Sequence, residues 1–411
     1  MRNIAKVPVA ATELPASGSR RRTSQARTST PRGRGPVSSA TSLVVLTLGL
    51  LAACAPSDTL VVQPPPVGTP PTPAQPTVVA TGLNRPQGVL VTKDGTLYVS
   101  DDGSGGDTTF TAPAQGGGTQ EGSFGETGRV VKVEPDGTES VAAPLLSVSL
   151  PALGPTAGGK LAVIGSDVYV ANGIWNAGYS VPRPPKAAAV LKVEGGTTTE
   201  VADLFAFEEA NNPDEVPASE GGIDSHAYGL TAGPDDQLYV ADAGANALLK
   251  VDPETGDVSL VAALQGLIDT DTSSVPTGVT FGTDGAIYVS LLSGFPFTSG
   301  ASRVVRVEDG AVSDFATGLT LLTDVELGPD DRLYAVSFGE FDAKATPPYL
   351  PNKGSIVRLD AEGKQETILS NLNYPTSIAF NTEGDAFIST NGLGVGAPAT
   401  GEVVRYPQLT Q

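Results

Sequence analysis

Histidine and cysteine each occur once among the 411 residues. With His226 alone, no zinc centre built on two or three histidines forms within one chain. A Ser-His-Asp hydrolase has one candidate base, and no Gly-x-Ser-x-Gly elbow accompanies it. Cys54 alone excludes an intramolecular disulfide. Positive charge is also scarce, with 25 Lys and Arg against 45 Asp and Glu. Nucleic acid is therefore excluded as a partner, because a phosphate backbone needs a basic surface. No 3.6-residue apolar periodicity is sustained, and the longest apolar run falls short of a membrane span.

What the chain has is glycine, 49 of them, and a unit that recurs six times. A small or polar residue opens a strand at Gly88, Gly159, Gly229, Gly278, Asp324 and Ser377. Ten residues later stands an aromatic in a second strand: Tyr98, Tyr169, Tyr239, Tyr288, Tyr334 and Phe387. Acidic or glycine turns such as Asp94-Gly95 and Asp284-Gly285 lie between. A third strand carries a basic residue at one place in all six units: Lys132, Lys192, Lys250, Arg306, Arg358 and Arg405. A short fourth strand follows, except in the last unit, where the chain stops at Gln411. The segment Thr77-Val78-Val79-Ala80 matches the missing fourth strand. The pattern predicts an all-β, six-bladed β-propeller over residues 77–411, closed by an N-terminal strand in the last blade. Residues 102–128 are too rich in Gly and Thr to hide a seventh blade.

The preceding segments read as an address. Leu43 to Leu51 forms a secretory apolar region, and Leu51-Ala52-Ala53-Cys54 resembles a bacterial lipobox. That resemblance implies cleavage after residue 53 and lipid on Cys54. The long Arg-rich stretch before it suggests a true start downstream, for instance at Val37. Residues 54–76 are Pro-rich and read as an extended stalk, reaching about 60 Å at ~3.1 Å per residue. Residues 54–411 carry a net charge near −27. Such a surface opposes anionic lipid, so membrane contact is expected through the anchor alone.

Strand alternation puts the first-to-second and third-to-fourth turns on one face, where all are short. The long insertions share the other: 102–128, 173–189, 205–225, 265–274, 293–301, 338–353 and 392–400. That face is the expected binding face for a small molecule or a protein. The residue before each opening should ring the channel mouth there: Gln87, Gly158, Tyr228, Thr277, Thr323 and Thr376. With His226 nearby, these side chains either bind a ligand or cap strand ends. An oxygen-only site for Ca²⁺ or Mg²⁺ stays open, with Asp101, Asn172, Asp242, Asp324 and Asn391 as candidates. Asp269-Thr270-Asp271 is half of a calcium loop. Asp242 to Asn246 reads foremost as a self-bonded tight turn. The acidic insertion 205–225 reads as a lid, a cation-binding flap or a solvated loop. Trp175, the single tryptophan, either stacks a ligand or covers a blade end.

Two stretches resemble the ScyD/ScyE family. One runs from Val275-Pro276-Thr277-Gly278 through Gly294-Phe295-Pro296-Phe297 to Arg303-Val304; the other from Tyr239 to Asp252. The resemblance implies a six-bladed propeller of the TolB-like and NHL-like kind, with no agreed activity. More distantly, the chain resembles SMP-30/gluconolactonase propellers, which hold an axial divalent metal with Glu, Asn and Asp. Here Gln87 stands at the carboxylate position of the first blade, with Asn172 and Asp242 as counterparts. The expectation is a non-catalytic, tethered propeller that binds through its long-loop face. The alternative is a metal-dependent hydrolase or lactonase with its site at the channel mouth.

Overall fold

A computed structural model describes residues 75–114, 117–151, 153–217, 222–269, 272–394 and 400–411. The signal region, Cys54 and all but the end of the 54–76 linker lie outside the described residues. So do Glu220 and Asp271.

Each repeat unit forms an antiparallel sheet whose strands follow the chain from inside to outside, here a to d. Blade 1 holds Pro86–Val91, Leu97–Asp101, Thr119–Val133 and Glu139–Leu150. Blade 2 holds Gly158–Ile164, Asp167–Asn172, Ala189–Glu194 and Thr197–Asp203. Blade 3 holds Asp224–Ala232, Leu238–Asp242, Ala247–Val251 and Val258–Ala263. Blade 4 holds Pro276–Phe281, Ile287–Leu291, Ser302–Glu308 and Ala311–Leu319. Blade 5 holds Leu322–Leu327, Leu333–Ser337, Gly354–Leu359 and Gln365–Leu372. In blade 6, Ser377–Phe380, Ala386–Thr390 and Gly401–Tyr406 are completed by Thr77–Leu83. Each a strand touches the a strands on either side, and the cycle closes between blades 6 and 1. The fold is an all-β propeller.

Packing explains the repeat. Six buried clusters each join one blade to the next, for example Val130, Leu145, Leu161 and Val170 between blades 1 and 2. In blades 3 and 4 the aromatic, the acidic turn and the basic residue, scattered in the sequence, meet in space. Asp284 Oδ2 accepts from Tyr288 Oη at 3.1 Å and from Arg306 Nε at 2.9 Å. Asp235 accepts from Tyr239 and Lys250 in the same way, at 3.1 and 2.7 Å. In blade 5 the tyrosine half survives (Tyr334 to Asp330, 2.9 Å), while Arg358 turns to Glu366.

Three insertions are more structured than their composition predicts. Residues 102–128 supply the strand Thr108–Pro113, which pairs with the lengthened c strand of blade 1 and extends that sheet outward. Residues 338–353 form a small ribbon pairing Glu340–Phe341 with Tyr349–Leu350. The acidic 205–225 segment begins as a helix, Leu204–Asn211, capped by Asp203 accepting from the Ala206 amide. Among the described residues no helix is long and apolar enough to cross a membrane.

The seam rests on one strand pair, with Thr77 opposite Arg405, Val78 opposite Val404 and Leu83 opposite Gly401. Leu83 is fully buried there, against Val89 and Val403 among others. Leu83→Ala is expected to cost about 2–5 kcal/mol of unfolding free energy in urea. A loss below about 1 kcal/mol would mean that the seam does not limit stability.

Candidate functional site

The channel mouth is built from a repeated local device. Two residues before the mouth position, Arg85, Val275, Leu321 and Tyr374 adopt left-handed backbone, with φ of 64°, 51°, 47° and 47°. Such a conformation costs a non-glycine residue about 1–3 kcal/mol, so the packing around the ring must hold it. The threonines that follow link neighbouring blades. Thr277 Oγ1 donates to Leu322 O at 2.9 Å, Thr323 to Pro375 O at 3.3 Å and Thr376 to Pro86 O at 2.6 Å. In each case the acceptor immediately precedes the next blade's mouth residue. The threonines are thus inter-blade staples. Thr323 and Thr376 also face the cavity, whereas Thr277 does not.

Beneath this ring lies Lys160, which sequence reasoning missed. Its ammonium is buried and bonds Gln87 O at 2.9 Å and Thr376 O. It pairs with Asp324 Oδ2 at 3.2 Å and lies 5.2 Å from the centre of the Tyr228 ring. Rising from blade 2, it therefore touches blades 1, 3, 5 and 6. Burial pulls its pKa below the ordinary lysine value, and Asp324 offsets that pull. A signal existed: after the strand openings the other units carry Val89, Leu230, Val279, Val325 and Ile378, and only this one a charge.

The proposed metal ligands do not converge. Asp324 is taken by Lys160 and by the Ser377 hydroxyl and Ile378 amide, at 2.9 and 3.1 Å. Asp101 pairs with Arg129 at 2.9 Å. Asp242 accepts from Ser225 Oγ and from the amides of His226, Gly244 and Ala245. It is the tight turn that its spacing implied. Asn172 donates to Lys186 O at 2.7 Å, and Asn391 is bonded to Asn373 and Thr400. Among the described residues no three carboxylate, imidazole or thiol groups are arranged to hold a metal ion. On the axis itself, a divalent ion would meet an ammonium already seated among the oxygens.

Of two other candidates, one is relocated and one is not. Trp175 is 2% exposed, packed against Phe110, Phe124 and Tyr179 at 5.6, 5.9 and 4.9 Å between ring centres. It covers a blade end and lines a separate cavity with Arg183, Phe205 and Glu209 rather than the axial mouth. His226 does sit at the mouth, its ring edge-on to Tyr228 at 5.5 Å. Burial pushes its pKa down to about 4, which keeps it neutral.

A cavity of about 200 Å³ opens over the ring. Its floor is Gln87, Tyr228, Thr323 and Thr376, with Tyr228 Oη donating to Gln87 Oε1 at 3.0 Å. Its wall is apolar: Leu292, Phe297, Leu321, Phe338, Tyr349 and Leu393. Most of that wall comes from insertions 293–301, 338–353 and 392–400, on the face picked out by loop length. Arg85 stands at the boundary with a second cavity, lined by Asp102, Gly158 and His226. The acid near the mouth is thus Asp102, not its neighbour Asp101. Burial pushes Asp102 up to about 7, although Arg85 and the Ala157 amide favour its charge.

A second unusual group lies beside blade 3. Glu208 on the helix is fully buried, with neither carboxyl oxygen bonded. It shares its surroundings with Asp214, Asp224 and Asp242. Burial, then Asp242 and Asp214, push Glu208 up to about 9. Asp224 moves well up for the same reasons.

No family model and no curated protein matches the chain. Solved structures do. One is an oxidoreductase (glucose dehydrogenase) from Thermus thermophilus, with 15% identity and a TM-score of 0.50, covering 80% of this chain and 99% of that one. A gluconolactonase from Xanthomonas campestris gives 12% identity, a TM-score of 0.48 and coverage of 81% and 89%. A virginiamycin B lyase from Staphylococcus aureus gives 14%, 0.44, and coverage of 80% and 97%. At these identities the likeness concerns the fold alone. The chain's own geometry defines a propeller with an apolar axial cavity over a buried lysine.

Two measurements test this electrostatic picture. Lys160→Met strands Asp324 and should cost about 3–5 kcal/mol, and adding Asp324→Asn should restore part of it. Additive losses in urea would show that the pair is not coupled. Glu208 has a raised folded pKa, so its contribution is complete below about pH 4.5 and is lost as pH rises towards 9. Glu208→Gln should therefore melt higher than the parent at pH 8, with the gap closing by pH 5. A gap independent of pH would overturn the assignment.

Proposed function

We propose that this protein is a non-catalytic propeller, tethered in the cell envelope through Cys54, that binds a ligand in its axial cavity on the long-loop face. The observation that carries this reading is the cavity's make-up. Its wall comes from the insertions, and its polar floor is already hydrogen-bonded within the protein. A floor of satisfied amide and hydroxyl groups orients a ligand but offers no free base or nucleophile. The tether rests on the apolar run and lipobox-like residues before Cys54, and on the Pro-rich stretch that would hold the propeller clear of a bilayer. The resemblance to the ScyD/ScyE family is part of the same proposal.

The alternative is a hydrolase or lactonase using Ca²⁺ or Mg²⁺, which needs two or three converging carboxylates. Asp101, Asp242 and Asp324 are committed to separate partners in separate blades.

A fragment library screened by saturation-transfer NMR tests the binding site. Leu393→Trp, which fills the cavity from its rim, should abolish the hits and leave the melting temperature nearly unchanged. Hits that persist would place binding elsewhere. Metal-dependent turnover of lactones or esters, removed by EDTA, would overturn the non-catalytic reading.

A further inference from the structure

We infer that the ligand of the axial cavity is a small organic anion, an aromatic or alicyclic ring bearing a carboxylate, held by Arg85. This rests on the reading of that cavity as the binding site. The formal charge of the chain is −20, yet among the described residues the one charged side chain lining the cavity is a cation. An acidic protein with an acid-free pocket built around a guanidinium repels anions at large and accepts them at that one point.

The guanidinium is held chiefly by neutral carbonyls, with one long ion pair. Nε reaches Gly392 O at 3.4 Å and Nη2 reaches Leu153 O at 3.2 Å, both neutral carbonyls at the rim. Its nearest acid, Asp102, stands 3.9 Å from Nε and gives Oδ1 to the Ala157 amide at 2.7 Å. The Arg85 side chain is 14% exposed, so an incoming carboxylate meets a largely desolvated partner. Arginine's planar fork suits a carboxylate better than a point charge does.

The wall sets the rest of the ligand. Phe297, Phe338 and Tyr349 present ring surfaces, braced from behind by Phe341 and Tyr374. A cavity of roughly 150 Å³ accepts a benzene ring. The 200 Å³ here accommodates a ring and one short substituent. The two carbonyl contacts of Arg85 hold its guanidinium at the cavity's edge.

Titration calorimetry with benzoate, 1-naphthoate and cyclohexanecarboxylate, each against its uncharged amide, tests the class on the unmodified propeller. The carboxylates should bind at least tenfold more tightly than the amides. In Arg85→Met that preference should vanish while amide affinity changes little, and Arg85→Lys should keep part of it. Equal affinity of acid and amide in the parent protein overturns the anion assignment and leaves the cavity as a site. A preference that survives Arg85→Met overturns the role of Arg85. If no ring compound binds and Leu393→Trp alters no fragment hit, the reading of the cavity fails as well.

Discussion

One ammonium group organises the axis. Lys160 contacts four blades besides its own, and its acceptors are two main-chain carbonyls, a carboxylate and a ring face. Six strands packed edge to edge around an axis leave their mouth carbonyls pointing inward, and such groups need donors once water is excluded. A metal ion supplies that need in one way and a lysine in another. The lysine adds a covalent link to blade 2, so the distance from the axis to that blade cannot drift. Gln87 and Tyr228, the polar floor of the cavity, are both positioned by contact with it.

The fold was legible because its repeat is a physical contact as well as a pattern. In blades 3 and 4 the turn aspartate meets a phenol from strand b and a cation from strand c, and blade 5 keeps the phenol half. The site was legible only in outline. Loop length marked the face on which the axial cavity opens, because insertions accumulate where the ring does not need the turns to be short. Individual side chains were harder. Asp101 and Asp102 are adjacent, and strand alternation sends one towards Arg129 and the other towards the mouth. No periodicity says which is which without the register. Lys160 occupies the position after the strand opening, which is apolar in every other unit, so the repeat itself gives that place no chemistry. Trp175 and the helix Leu204–Asn211 depend on contacts between insertions of neighbouring blades, which a repeat-based reading does not see.

Part of the backbone strain in the molecule sits at the mouth. Arg85, Val275, Leu321 and Tyr374 hold left-handed backbone at equivalent points, and Arg85 and Leu321 line the cavity. What offsets the strain is next to it. Phe297, Leu321, Phe338 and Tyr374 form a buried cluster of their own, separate from the six that join blades. The insertions thus perform two tasks, supplying the wall and fixing the ring residues behind it. Glu208 is a contrasting case, a buried acid whose cost is carried within blade 3 and its helix and bears on no cavity at the axis.

A tethered ammonium and a bound divalent ion give an axis similar charge but different chemistry. A metal keeps open coordination positions, polarises a carbonyl and lowers the pKa of bound water. An ammonium bonded to three oxygens has no position left to offer, and it does not come or go with ion supply. The electrostatic part of an axial cation is therefore retained here, and its Lewis acidity is not. Above it stand amides and hydroxyls that are already paired, a neutral histidine and a guanidinium that stays charged at any physiological pH. Each of these groups can hold a ligand in place, and beside them Asp102, pushed up to about 7 by burial, is the kind of group that exchanges a proton near neutral pH.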